Sequence, residues 1–364
     1  MRKPIAVLLS MLLLITIFCV GCNKQSEKTA TDTIANKIAD ESTTRTITDA
    51  NGQVVEVPKD VQKIAVTCQG GVTHELVVLG AADMIVAQPN MGKFPFLLKM
   101  EPQFKNVVDA GSFDNVNVEE LLKVEPDIVF GGITGEKGNS RIKEAGIPVV
   151  TMLTGKGNIE QHKNEFLGTG SVLGKNDEAK MLVAYWDEKL KLINDRVSQI
   201  PDEQRKKVYY ARNQMLETEG SDWWGDILIT TAGGQNVAHN LGIERNISLE
   251  QLIKWNPDVM LISNVMGKDS GSVTLDEIQN DKQLANIKAV KQGQTYICPI
   301  GSFWWDRPCP EAPLGFMWLA KTLYPEETRD INLKAETKGF YKEFYKYDLN
   351  DEEYELFFNY SEVR

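Results

Sequence analysis

One pattern is written twice in this chain. "NVEELLKVEPDIVFGG" begins at Asn117 and "ISLEQLIKWNPDVMLIS" begins at Ile247. Each runs small polar residue, apolar, Glu, polar, two apolar, Lys, two residues, Pro-Asp, apolar run. Glu119 and Glu250 fall in register, 131 residues apart (250 − 119). Asn117 and Ser248 are good helix caps, and the apolar spacing that follows suits a short helix. The Pro ends that helix, and a strand-like run follows. A helix-then-strand piece repeated at this distance predicts two α/β units of shared architecture.

The surrounding residues carry the same rhythm. "RTITDANGQVVEVP" flanks Asn51-Gly52 with alternating strand residues, a hairpin signal. "KIAVT" (63–67), "MIVAQ" (84–88), "DIVFGG" (127–132) and "PVVTM" (148–152) read as strands of the first unit, with "VTHELVVLGA" and "VEELLKVE" as helices. "KVYYAR" (207–212), "DVMLIS" (258–263) and "TYICPI" (295–300) read as strands of the second, with helices in "ILITTAGGQNVA" and "APLGFMWLAKTLYP". Between the units, residues 176–199 place Leu182, Trp186, Leu190, Ile193 and Val197 on one apolar stripe, and Pro201 stops the helix. From Asn332 the chain reads as closing helices. Strand-helix alternation predicts parallel sheets, with ligand loops at the strand ends.

The N-terminus predicts export. Arg2 and Lys3 precede an apolar run from Ile5 to Val20, too short for a membrane span and suited to a secretory signal. Gly21-Cys22 closes it like a bacterial lipoprotein processing site, although Cys19 stands where Leu is usual. Cys22 would then carry the acyl chains, and more than one chain is needed for a stable anchor. The segment 22–44 is polar and reads as a flexible tether. The expected organisation is 1–21 signal peptide, 22–44 tether, 45–174 first lobe, 175–200 connecting helix and 201–364 second lobe.

Charge and motif content exclude several functions. A net charge of -11 makes nucleic acid a poor partner. The sequence holds no HExxH, CxxC, GxSxG or phosphate-loop signature, and its three histidines are scattered, so neither an enzyme nor a bare-metal site is expected. No cofactor is expected. Cys68, Cys298 and Cys309 form no complete disulfide framework, though Cys298 and Cys309 could pair.

The motifs "TITDANGQVVEVP", "KIAV", "NVEELLKVEPDIVFG", "AGGQNVA", "SLEQLIKWNPDVMLIS" and "WLAKTLYP", in this order, resemble the metal-chelate class of ABC-transporter substrate-binding lipoproteins. Those proteins carry ferric siderophores, haem or cobalamin. The resemblance implies two Rossmann-like lobes with parallel sheets, joined by a long rigid helix, with the ligand in the cleft. It implies an extracytoplasmic, membrane-anchored protein, expected as a monomer, whose partner is a permease dimer. By position, Glu119 and Glu250 are then the acids that dock on the permease; simple helix capping is the other explanation. The ligand implied first is an iron(III)-siderophore complex, with haem, cobalamin or an oxyanion such as molybdate as alternatives.

Cleft residues are expected in "CQGGVTH", "QPNMGKFPF", "ARNQMLETEGSDWWGD" and "GSFWWDRP", among other strand-end loops. Arg212 and Arg307 suit a carboxylate or other oxyanion, unless Asp306 simply pairs with Arg307. Lys93 and Tyr210 can add donors. At least one of Trp223 and Trp224, and one of Trp304 and Trp305, is expected to reach the ligand, the alternative being that they plug their own lobe. His74 is the best axial-ligand candidate, although a lone histidine is more often structural.

Overall fold

The computed structural model describes residues 43–69, 71–263 and 274–358. The signal segment, Cys22, nearly all of the tether and most of the loop 263–272 lie outside the described residues. Strands β1 (Thr44–Thr48) and β2 (Val54–Pro58) form an antiparallel hairpin in which Thr48 faces Val54. Its turn runs through Asn51-Gly52, where Gly52 takes φ 73°. Positive φ of that kind is what the Asn-Gly pair provides.

The first parallel sheet contains β3 (Ile64–Val66), β4 (Ile85–Ala87), β5 (Ile128–Gly132) and β6 (Val149–Met152), in spatial order β4-β3-β5-β6. The second contains β7 (Lys207–Ala211), β8 (Gln235–Asn236), β9 (Val259–Ile262) and β10 (Thr295–Ile297), in order β8-β7-β9-β10. Both sheets are parallel throughout, and both place their second strand outside the first. The strand order therefore reverses beside β3 in one lobe and beside β7 in the other. Loops leaving such reversal points are where open α/β sheets hold ligands.

The repeated pattern is the same physical joint in each sheet. Asn117 Oδ1 accepts from Glu120 N at 3.3 Å and starts the helix Val118–Val124. Ser248 Oγ accepts from Gln251 N at 3.1 Å and starts the helix Leu249–Trp255. Both helices end on a left-handed residue, Glu125 at φ 49° and Asn256 at φ 46°. The Asp of each Pro-Asp then pins the first strand of its sheet. Asp127 Oδ2 accepts from Lys63 N at 2.8 Å, and Asp258 Oδ2 accepts from Lys207 N at 2.8 Å. The pattern is repeated because the same cap, left-handed exit and strand anchor are needed in each lobe.

Between β6 and β7 run two helices, Ile159–Leu173 and Asn176–Val197. The second has 22 residues, about 33 Å of rise. Leu182, Trp186, Ile193 and Val197 of the expected stripe are buried and Leu190 is half-buried. Asn176 and Asp177 lie inside its first turn rather than capping it, and the side chain of the capping residue, Lys175, makes no cap bond. Trp186 packs on Phe166, Trp224 and Phe316 and donates its N–H to Pro310 O at 3.1 Å. One indole thus ties the long helix to both halves of the chain.

The lobes also meet directly. Gly71 takes φ 90°, and a Cβ there would lie 2.9 Å from Pro308 O. Phe94 packs on Phe303 and Trp304, and Phe96 packs on Tyr341, Tyr347 and Phe357. The closing helices Leu333–Phe344 and Asp351–Leu356 supply much of this aromatic contact. An interface this apolar favours a small closing motion over a wide hinge. No helix among the described residues is long and apolar enough to cross a membrane.

Candidate functional site

The carboxyl end of β7 begins the charged site. Arg212 leaves the strand, and the chain doubles back so that Arg212 N donates to Glu217 O at 2.8 Å. That turn sets Glu217 and Glu219 beside Arg212. Arg212 Nη1 bonds Glu217 Oε1 at 2.8 Å, and Arg212 Nε approaches Glu219 Oε1 at 3.0 Å without the alignment of a hydrogen bond. Arg307 arrives from the loop after β10 and donates Nη1 to Glu219 Oε1 at 2.8 Å. Arg245 comes from the turn before the second repeated helix and stands 3.8 Å from Glu219 and 3.9 Å from Glu217.

Three guanidinium groups thus share two carboxylates, which leaves a net positive charge. Glu219 is buried; burial alone would raise its pKa, but Arg307, the N–H of Gly225 at 2.8 Å and Arg212 hold it below the usual carboxylate range. Burial also works against the Arg307 charge, and Glu219, Tyr210 and Asp306 outweigh it and raise the pKa. Arg245 differs: burial, then the like charges of Arg212 and Arg307, lower its pKa despite the two glutamates. Its guanidinium makes no hydrogen bond among the described residues, and Arg245 Nε and Arg307 Nη2 are buried donors without partners. Buried donors left open carry a desolvation cost until an acceptor meets them.

A fourth cation reaches the site from the first lobe. Lys156 follows β6, and its Nζ lies 3.7 Å from the ring centre of Trp223. The Arg245 guanidinium stacks on the same ring at 3.4 Å. Two groups this close to one ring centre must occupy opposite faces, since they would collide on one. Trp223 N–H donates to Ile243 O at 3.1 Å, which holds the indole between them. Cation–ring contacts of this kind are worth about 0.5–2 kcal/mol.

The structure brings Arg212, Arg307 and Trp223 together and adds Arg245, Lys156, Glu217 and Glu219, which sequence reasoning missed. Arg307 pairs with Glu219, whereas Asp306 accepts from the buried Tyr210 hydroxyl at 2.8 Å. Trp224 is buried beside Trp186, Phe316 and His162. Trp304 packs on Phe94 and Phe303, and Trp305 donates to the buried carboxylate of Glu311 at 2.9 Å. Tyr341 and Tyr345 donate to Glu311 as well, each at 2.9 Å. This network holds the 301–308 loop under Arg307. Trp224, Trp304 and Trp305 are therefore plugs, and Trp223 alone of the four keeps partial access to solvent.

His74 is also committed. Its Nε2 meets Ser302 O at 2.8 Å, and its ring lies against Phe94 and Phe303. Burial lowers its pKa to about 4, so it is neutral near pH 7 and serves as a link between lobes. Lys93 is exposed, with no ion-pair partner among the described residues. Glu119 and Glu250 are both exposed, each at the second position of its repeated helix. Cys68, Cys298 and Cys309 are buried free thiols, and no bridge joins Cys298 to Cys309. Among the described residues no group of His, Cys, Asp and Glu is arranged to hold a metal ion.

Two parallel-sheet lobes with charged loops at the strand ends have the build of a protein that encloses a small ligand. A family model described as periplasmic binding protein matches residues 66–300, and the chain belongs to that family. It is similar to the molybdate-binding protein MolA of Haemophilus influenzae, 29% identical over 330 residues covering 83% of this chain and 91% of that protein. It is also similar to the Fe(3+)-citrate-binding protein YfmC of Bacillus subtilis, 23% identical with 81% and 89% of the two chains covered. Among solved structures, a periplasmic solute binding protein from Veillonella parvula superposes with a TM-score of 0.75 at 28% identity, covering 87% of this chain and 98% of that one. The molybdate complex of MolA superposes with a TM-score of 0.73 at 27% identity, covering 84% and 99%. The protein is an extracytoplasmic substrate-binding protein of an ABC transporter, of the metal and metal-chelate class. The relatives are carriers, in keeping with a sequence that holds no catalytic signature.

Proposed function

We propose that the protein is a lipid-anchored carrier that captures a compact anion of about two negative charges and delivers it to its permease. Arg245, Arg212, Arg307 and Lys156 are the ligand-binding cations, and Trp223 is the surface between them. The observation that carries this reading is the unanswered donor capacity of the cluster: three buried or half-buried arginines share two carboxylates, and Arg245 hydrogen-bonds to neither. With Lys156 added, the surplus is two positive charges, which suits a dianion. An oxyanion of the molybdate type meets that demand, and the ligand named for MolA is of that chemistry.

The iron(III)-siderophore complex expected first from the sequence fits only where the chelate is itself anionic. The flat aromatic surface a bulky chelate would need is reduced to Trp223, whose two faces are covered. With His74 bonded to Ser302, no histidine stands ready as an axial ligand for haem. A citrate-type ferric chelate, as named for YfmC, is the second reading, because its carboxylates would address the same arginine forks.

Calorimetric titration with sodium molybdate and with ferric citrate tests the proposal. Arg245→Ala should weaken the bound anion roughly ten- to hundredfold, the range for a charged hydrogen bond of about 1.5–3 kcal/mol. Because Arg245 makes no hydrogen bond in the protein, its loss should leave the fold intact. Unchanged affinity for whichever anion binds would remove the cluster from the ligand site.

A further inference from the structure

The two repeated helices share a second exposed feature that neither capping nor strand anchoring uses. Leu122 is 51% exposed and Ile253 is 46% exposed, and 253 − 122 is again 131. Only Val54, Leu167, Met181 and Ile243 join them as large exposed apolar side chains among the described residues. Single exposed leucines are ordinary on protein surfaces. Two of six falling at matched positions of a repeated element are not explained by that. Their buried neighbours Leu121 and Leu252 already supply the contacts that seat each helix on its sheet.

On a helix, residues three apart stand side by side. Leu122 therefore adjoins Glu119, and Ile253 adjoins Glu250. In the first helix Lys123 is drawn to Glu120 at 2.6 Å, which leaves Glu119 with no ion-pair partner among the described residues. Glu250 likewise has no ion-pair partner among the described residues. Each lobe thus presents one unpaired acid and one apolar side chain in the same local frame.

We infer that Glu119–Leu122 and Glu250–Ile253 are two copies of one docking footprint, and that the partner carries two matching hollows, each apolar at its floor with a cation at its rim. The permease of an ABC importer, built from two like halves, is the partner of that chemistry. This rests on Glu119 and Glu250 being docking acids and assigns the apolar half of the contact. The acids would steer and orient, which raises the encounter rate and is sensitive to salt. The apolar pair would set the lifetime of the complex, since desolvated apolar anchors act mainly on dissociation.

The test uses the full-length lipoprotein and the nanodisc-reconstituted permease–ATPase that imports its cargo, with binding followed by surface plasmon resonance at low and high salt. The double variant Leu122→Gln/Ile253→Gln keeps helix-forming residues and should dissociate roughly tenfold faster or more at either salt concentration, with association unchanged. Glu119→Gln/Glu250→Gln should slow association, mostly at low salt. Leu122→Met/Ile253→Met should restore wild-type dissociation, and circular dichroism and anion affinity should be unaltered in every variant. Wild-type kinetics for the glutamine pair at Leu122 and Ile253, alongside slowed association for the acid variant, would overturn the apolar assignment and leave the acids standing. Wild-type behaviour of both variants would overturn both. Loss of self-association in place of permease binding would assign the face to a second copy of the chain and also overturn the proposal.

Discussion

Glu219→Gln is the most informative single change in the cluster. The substitution keeps the shape and an oxygen that can accept from Gly225 N, and it removes one negative charge from a side chain only 1% exposed. That charge lies 2.8 Å from Arg307, 3.0 Å from Arg212 and 3.8 Å from Arg245. Removing one partner of a buried pair costs about 3–5 kcal/mol, because the remaining charges are left uncompensated. For a domain of this size that corresponds to a melting temperature lower by roughly 6–12 °C. An anion that occupies the cluster would supply the missing charge. The variant should therefore gain more from ligand than the wild type does. At a ligand concentration of 100 times Kd, the ordinary gain is about 2.7 kcal/mol. Differential scanning fluorimetry with and without molybdate, and again with ferric citrate, reads both effects. The reasoning is refuted if Glu219→Gln melts like the wild type, or if it is destabilised and no anion restores it by more than the wild-type increment.

Two further outcomes follow from the contacts between lobes. His74 has a folded pKa lowered to about 4 by burial, against about 6.5 when unfolded. The proton then binds the unfolded chain first, so stability is full above pH 6.5 and falls as pH drops toward 4, by about 3 kcal/mol. His74→Phe should flatten that part of the pH–stability curve, measured by urea unfolding at each pH; an unchanged slope would show that the loss arises elsewhere. Gly71→Ala places a Cβ 2.9 Å from Pro308 O at φ 90°. It should lower the melting temperature and shift the near-ultraviolet dichroism of the interlobe aromatics, and wild-type values for both would show that this contact is not tight in solution.

Much of the architecture was legible because it depends on local chemistry that the chain repeats. The matched caps, left-handed exits and Pro-Asp anchors announced two equivalent sheets, and the apolar stripe announced the long helix. The helix Ile159–Leu173 was missed because Gly168 and Gly170 interrupt a sparse apolar pattern, and its stability comes from packing on the long helix and from Arg45, which donates to Val172 O at 2.7 Å near its end. The site was legible only in part. Arg212, Arg307 and Trp223 stand out at strand ends, but Arg245 and Lys156 lie in loops that only the tertiary fold brings to Trp223. The acids at 217 and 219, alternating two residues apart just after Arg212, were a usable signal of a charge cluster. Trp224, Trp304 and Trp305 read as ligand surface because a pair of tryptophans says nothing of which face is covered. A buried acceptor such as Glu311 decides that, and it becomes visible only in three dimensions.

The central claim is that ligand capture is governed by negative charge. It is tested most directly by following Trp223 emission, in a variant retaining no other accessible indole change, while one protein is titrated with molybdate, with ferric citrate and with an uncharged ferric hydroxamate. Saturable binding of an anion, weakened by added salt and absent for the uncharged complex, is the predicted result. Tight binding of the uncharged hydroxamate, undiminished by salt and by loss of Arg245, would contradict the account.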